Sequence, residues 1–163
     1  MADKIISQAD LRVFFDYKDG ELFWIQCKGT AKSGQKSGNL SQDGYLNSRF
    51  YGKSYRTHRL IYLWHYGYIP KELDHIDGNK LNNCIENLRP ANRMQNSHNT
   101  KIPNTNKSGN KGVSWINRLQ KWVVQLQVNN KKMYFGIYND IDYAIFIANA
   151  MRHKYHKEFA RTK

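Results

Sequence analysis

The stretch "ELDHIDGNKLNNCIENLRPANRMQNSHN", Glu72 to Asn99, decides how the chain is read. Leucine leading into Asp-His-Ile reads as a short strand, in which neighbouring side chains point to opposite faces, so Asp74 and His75 have different tasks. "DGNKLNN" is turn chemistry, because Asp, Asn and Gly accept the backbone conformations a tight loop needs. "ENLRPA" returns as a second strand, and "NRMQNSHN" leaves room for a helical turn or two after Pro90. The pattern predicts strand, loop, strand and helix, with Asp74 on one side and Asn96 on the helix available to face it. A carboxylate oxygen and an amide oxygen suit a hard divalent cation, Mg²⁺ or Mn²⁺, where a cluster of imidazoles or thiolates would have favoured zinc or nickel. Asp77 is a turn former before Gly78 first and a metal ligand second, and Asn79, Asn82 and Asn83 read as turn formers too.

Upstream, "HRLIYLWHYG", His58 to Gly67, is an apolar run without strand alternation that ends on a glycine, the signature of a short helix. Before it, "DYKDGELFW" and "GYLNSRFYGKSYRT" each place a glycine turn between aromatic flanks and predict hairpins, so the region from Ile5 to about Tyr68 reads as mostly short β structure. Downstream, residues 101–108 are polar, contain Pro and Ser, and read as a linker. Beyond it come three strand-like runs, the last two joined by an Asn129-Asn130 turn. A helix follows, with Ile141, Ala144, Ala148, Met151 and Tyr155 on one side and Asn139 or Asp140 as its N-cap.

The chain has 163 residues, a formal net charge of +13, an isoelectric point near 9.8 and 13% aromatic residues. Basic groups interleaved with rings point to a polyanion, above all nucleic acid. No apolar run approaches the ~20 residues a membrane span needs, and the start of the chain lacks the pattern of a secretory signal, so the expected location is the cytosol without membrane association. Cys27 and Cys84 are too few for a disulfide scaffold or a cysteine zinc site. Lys28, Lys32, Lys36, Arg49, Lys53 and Arg56 make the N-terminal hairpins basic.

"DHIDGNKLNN", "ENLR" and "QNSHN" together resemble the HNH nucleases of the phage and homing-endonuclease branch, over Tyr45 to Asn99. The resemblance implies a ββα-metal fold and a magnesium- or manganese-dependent cut in double-stranded DNA. It makes His75 the general base that activates water, Asp74 a metal ligand, and Asn87 the brace that holds the loop and helps orient the histidine. Asn96 matches the last motif position, histidine in many relatives, as the second metal ligand. His98 reads as a solvated helix residue, His58 as a residue capping or packing against a helix first and a second site histidine second, and His153 and His156 as solvated.

From about Ser108 to Arg161, "KGVSW", "KWVVQL" and "YFGIYN" followed by an Ala-rich helix resemble the AP2 domain of plant transcription factors. That resemblance implies a three-stranded sheet that enters the major groove with a helix behind it. In the second strand, Trp122, Val124, Leu126 and Val128 alternate with Lys121, Val123, Gln125 and Gln127, so the second set faces away from the helix. Glutamine can pair with adenine in two hydrogen bonds, which makes Gln125 and Gln127 candidate base readers. Alignment to the family adds Lys111, Ser114, Lys132 and Tyr134, while Arg118 near a turn is a candidate phosphate contact.

The expected architecture is therefore α+β: a nuclease domain with N-terminal hairpins over 1–100, a linker over 101–108, and an AP2-like sheet with one helix over 109–163. One nuclease centre per chain predicts a nick from a monomer, and a double-strand break would need a homodimer or two successive events. The rival reading is a DNA-binding regulator with a decayed HNH fold.

Overall fold

The computed structural model describes residues 6–27, 29–99, 102 and 106–160, the side chains of 97 and 98 excepted. Lys28, linker positions 101 and 103–105, and the side chain of His98 thus lie outside the described residues. The chain divides into two compact units, Met1–Ala91 and Asn92–Lys163. The division falls before the 101–108 segment.

In the first unit, α1 (Gln8–Phe14) opens on a capping box: Ser7 accepts from the Asp10 amide, and the Asp10 carboxylate accepts from the Ser7 amide. This helix departs from the expectation of mostly short β structure over this region; reciprocal capping satisfies two amide groups that a helix start leaves bare, and Leu11 is fully buried. Two antiparallel strands follow, β1 (Phe15–Lys18) and β2 (Glu21–Trp24), with the short β3 (Lys36–Ser37) on the far side of β2. The β1–β2 turn has positive φ at Asp19 (49°) and Gly20 (81°), the geometry that matches the twist of a hairpin. A second sheet pairs β4 (Asn39–Leu40), β5 (Leu46–Phe50) and β6 (Lys53–Arg56), again with positive φ at the Tyr51-Gly52 turn.

Helix α2 (Thr57–Tyr66) runs where expected and ends on Gly67 in the left-handed region at φ 79°. It buries Thr57, His58, Leu60, Ile61, Tyr62 and Leu63. Its return to the next strand is pinned by Arg59, whose Nη2 donates to the Pro70 carbonyl at 2.9 Å. Strands β7 (Glu72–His75) and β8 (Leu88–Ala91) pair antiparallel, Asp74 opposite Arg89 and His75 opposite Leu88. One core joins all of this: Leu11, Phe15, Leu22, Trp24, Phe50, Leu60, Ile61, Leu63, Leu73 and Leu88 pack together. Leu73 and Leu88 thereby fix the two strands that carry the candidate site, each such side chain contributing about 1.5–3 kcal/mol by burial.

The second unit holds α3 (Arg93–His98), then β9 (Val113–Ile116), β10 (Lys121–Val128), β11 (Lys131–Tyr138) and α4 (Ile141–His156). In α3, Asn92 accepts from the Gln95 amide and Gln95 Oε1 from the Asn92 amide, both at 2.8 Å, a second reciprocal cap. The sheet order is β11-β10-β9, antiparallel throughout. Val113, Val124, Ala144 and Ala148 form its core with α4, which Asp140 caps. Two details differ from the alternation reading. Phe135 is an extra residue in β11 opposite Val124/Gln125, a bulge that turns its ring toward the helix core. Arg152, rather than Met151, is the buried residue on the next turn of α4, at 1% exposure. Burial lowers its pKa to about 10.

The Gly20 turn makes a close approach. A Cβ built there would lie 2.7 Å from the Cys84 amide nitrogen and 3.0 Å from the Asn83 carbonyl carbon, and the φ of 81° is unfavourable for any other residue. Gly20→Ala is expected to cost about 1–3 kcal/mol, through backbone strain and displacement of the 83–84 segment, measured as a lower denaturant midpoint.

Candidate active site

Asp74 and His75 end β7 side by side, each 5% exposed. Arg89, directly opposite on β8, donates to Asp74 Oδ2 from Nε at 3.0 Å and from Nη2 at 2.9 Å. A buried carboxylate without a cation costs several kcal/mol, so this guanidinium supports it. His75 turns to the other side. Its Nε2 lies 2.9 Å from Asn83 Oδ1, and Asn83 is itself 1% exposed.

The loop between the strands is organised around Asp77. Its Oδ1 accepts from the Asn79 amide at 2.7 Å and from Asn87 Nδ2 at 2.9 Å, and its Oδ2 accepts from Asn82 Nδ2 at 2.7 Å. Burial raises the pKa of this carboxyl, but those hydrogen bonds outweigh it and the net shift is downward. Asn87 also accepts from the Asp77 amide at 3.0 Å and donates to the Asn82 carbonyl at 2.7 Å. The side chain of Asn87 therefore ties the loop together, and the residue on the imidazole is Asn83. From its loop sequence Asn83 is expected to be a turn former. The signal that separates it is the Asn82-Asn83 pair: the turn uses the first, and the second is buried.

Among the described residues, the rings of His58 and Tyr45 stand beside His75. His58 is 4.9 Å away between centroids, and Tyr45 is 6.1 Å from His75 and 5.3 Å from His58. The Tyr45 ring carries Arg56 at 4.7 Å and Lys80 at 4.5 Å, placing two cations beside the site. Arg56 is also paired with Asp43. His58 is 6% exposed, and burial, then the neighbouring His75 and arginines, lower its pKa to about 3. The unfolded chain would protonate His58 near its ordinary value of 6.5, so between about 6.5 and 3 it binds more protons than the folded chain. Stability from this residue is present above about 6.5 and lost as pH falls toward about 3. The denaturant midpoint should fall with acid across that window, and His58→Gln should flatten the fall.

Asn96, the remaining motif position, is a half-buried residue of α3 in the second unit. In that unit, register places Ser114, Gln125, Gln127, Lys132 and Tyr134 on one face of the sheet: Val123 pairs Ser114, Gln125 pairs Tyr134, and Gln127 pairs Lys132. This is the face opposite the Val113, Val124 and Ala148 core. Tyr134 is 57% exposed, and Ser114, Gln127 and Lys132 are exposed as well. Val123, expected to be open on that face, is buried. Arg118 is exposed in the β9–β10 turn, whereas half-buried Lys111 precedes β9 and lies near enough to His156 to help lower its pKa, after burial. His156 is not simply solvated: its Nε2 lies 3.1 Å from the Gln127 carbonyl. Cys27 and Cys84 form no disulfide. No helix among the described residues is long and apolar enough to cross a membrane.

An HNH endonuclease family model matches residues 55–98, which run from β6 through the Asp74-His75 strand to the end of α3. Protein 3.8 of Escherichia phage T7 is 36% identical over 115 residues, covering 69% of this chain and 93% of that protein. The chain belongs to the family of Protein 3.8 and carries an HNH endonuclease domain. The HNH domain has a second viral relative, the uncharacterized HNH endonuclease L560 of Acanthamoeba polyphaga mimivirus, 46% identical over 78 residues. That match covers 46% of this chain and 41% of the relative. No solved structure matches the chain.

Proposed function

We propose that this protein is a divalent-metal-dependent, site-preferring DNA endonuclease of the homing type that hydrolyses phosphodiester bonds and nicks as a monomer. The observation that carries the reading is the buried Asp74-His75 pair at the end of β7, inside the segment that matches the HNH family. His75 takes a proton from the attacking water, and general-base assistance of this kind is worth about 10²–10⁴-fold in rate. Asn87 braces the loop behind it.

The chemistry at Asp74 fits a hard cation in donor type, because it offers a carboxylate oxygen; a cation there would share that carboxylate with the Arg89 guanidinium, which pairs with Oδ2. Among the described residues no group of three or more His, Cys, Asp or Glu could together hold a metal ion, and the proposed ligands are instead one carboxylate and one amide. Asp74 would supply the charged oxygen, and the sequence pattern assigns the amide ligand to Asn96. When bound, Mg²⁺ or Mn²⁺ supplies Lewis-acid stabilisation of the charge that develops on the phosphate and the leaving 3′ oxygen.

The three-stranded sheet is proposed as the AP2-like reader of double-stranded DNA, with Gln125 and Gln127 toward base edges, Ser114 and Tyr134 beside them, and Lys111, Arg118 and Lys132 toward phosphates. A tethered sheet raises the effective concentration of the nuclease unit at its site. Gln125→Ala with Gln127→Ala is expected to weaken binding to the preferred site by about 1–3 kcal/mol per lost base contact, with little change on unrelated DNA. Lys132→Ala should instead weaken binding to all sequences and reduce the salt slope by about 1. Fluorescence anisotropy on the two DNAs over a salt series separates these outcomes.

The reaction class is tested by cleavage of end-labelled duplex in H₂¹⁸O with Mg²⁺. Hydrolysis at the 3′ oxygen predicts a 5′-phosphate carrying one ¹⁸O and a 3′-hydroxyl. A 3′-phosphate product would sink this chemistry.

A further inference from the structure

Asn83 is held from several sides. Ile76 donates its amide to the Asn87 carbonyl at 2.9 Å, and Gly78 donates to the His75 carbonyl at 2.8 Å, which closes the loop immediately after His75. The hydrogen bonds to Asp77 from Asn79, Asn82 and Asn87 fix the loop's course. On the far side of Asn83, the Ile85 amide donates to the Tyr17 hydroxyl at 3.1 Å, and the Gly20 turn presses against the backbone of Asn83 and Cys84. These contacts come from β1, its turn and the loop, so Asn83 has little freedom to leave the imidazole.

The cost of this placement is visible. Asn83 Nδ2 is buried with no hydrogen-bond partner among the described residues, a defect worth about 1–3 kcal/mol in general. A surface turn asparagine would have its amide in water. The other amide atom, Oδ1, is set 2.9 Å from His75 Nε2. An oxygen accepts and cannot donate, so this contact requires a proton on Nε2, and a neutral imidazole with that proton carries its basic lone pair on Nδ1.

We propose that Asn83 is a positioning residue that holds His75 as the Nε2–H tautomer, with Nδ1 as the atom that receives the proton from water. The role of Nδ1 rests on the nuclease reading; the tautomer does not. A carboxylate at position 83 would keep the acceptor, and leucine, of similar volume, would remove it.

The test uses the full chain with ¹⁵N-labelled histidine. Two-bond ¹H–¹⁵N correlation spectra of the metal-free, DNA-free protein report which ring nitrogen of His75 is protonated. The expected result is the Nε2–H tautomer in wild type and in Asn83→Asp, and loss of that single form in Asn83→Leu. In cleavage, Asn83→Leu should lower kcat by roughly 10–10²-fold with KM changed less than about twofold, and Asn83→Asp should recover much of the loss, as outer partners of catalytic groups typically behave. An Nδ1–H tautomer in wild type, or an Asn83→Leu protein with unchanged tautomer and kcat, overturns the proposal. Wild type and Asn83→Asp decide the tautomer even if the leucine variant does not fold. A confirmed tautomer in a protein that cuts no DNA would leave the placement standing and remove the nuclease reading alone.

Discussion

His75→Ala is expected to slow DNA cleavage by about 10²–10⁴-fold while leaving DNA affinity within about twofold. The imidazole sits at 5% exposure at the end of β7, so its removal takes away a base at the site without touching the basic surface elsewhere on the chain. Single-turnover cleavage at saturating protein isolates the chemical step, and anisotropy gives the affinity. The variant also leaves Asn83 Oδ1 without the imidazole, which costs about 1–3 kcal/mol, so its melting temperature must be recorded beside the rate. Equal rates in wild type and variant would remove His75 from the mechanism.

Arg89→Ala should destabilise the first unit strongly, by about 3–5 kcal/mol, because it strips the guanidinium from a carboxylate that is 5% exposed. At this chain length such a loss lowers the melting temperature on the order of 10 °C. The same pair makes a second expectation. A divalent cation can replace the missing positive charge, so Mg²⁺ or Mn²⁺ should raise the melting temperature of Arg89→Ala more than that of wild type. Differential scanning calorimetry with and without the ion measures both effects. A variant as stable as wild type, or one indifferent to the ion, would contradict the assigned chemistry at Asp74.

Much of the fold can be read from local signals because those signals are backbone requirements. Asp19-Gly20, Tyr51-Gly52 and Asn129-Asn130 all have positive φ, and each closes a hairpin that the sequence predicts. Gly67 ends α2 for the same reason. The face of the second sheet is legible through alternation: Gln125, Gln127, Lys132 and Tyr134 share a side even though a bulge at Phe135 interrupts the pattern, because the extra residue falls between Tyr134 and Gly136.

What escaped the sequence depends on distant partners. Helix α1 was hidden by the aromatic run "VFF", and only the Ser7-Asp10 box betrays it. Asn83 looks like any other loop asparagine until the loop closes and brings it to His75, eight positions back in the chain. Arg89, like Arg93, reads in the sequence as a cation near the phosphate, and its pairing with Asp74 appears only through the β7–β8 register. Val123 follows the strand alternation and is nevertheless buried, since exposure depends on packing that alternation does not encode.

The most direct measurement is incubation of supercoiled DNA with the wild-type protein, in Mg²⁺ and in EDTA, with binding followed in the same samples. The expected result is DNA bound in both conditions and nicked circles in Mg²⁺ alone, ahead of any linear product. DNA that is bound but stays supercoiled with Mg²⁺ and with Mn²⁺ would contradict it and mark the protein as a DNA-binding regulator on an HNH fold.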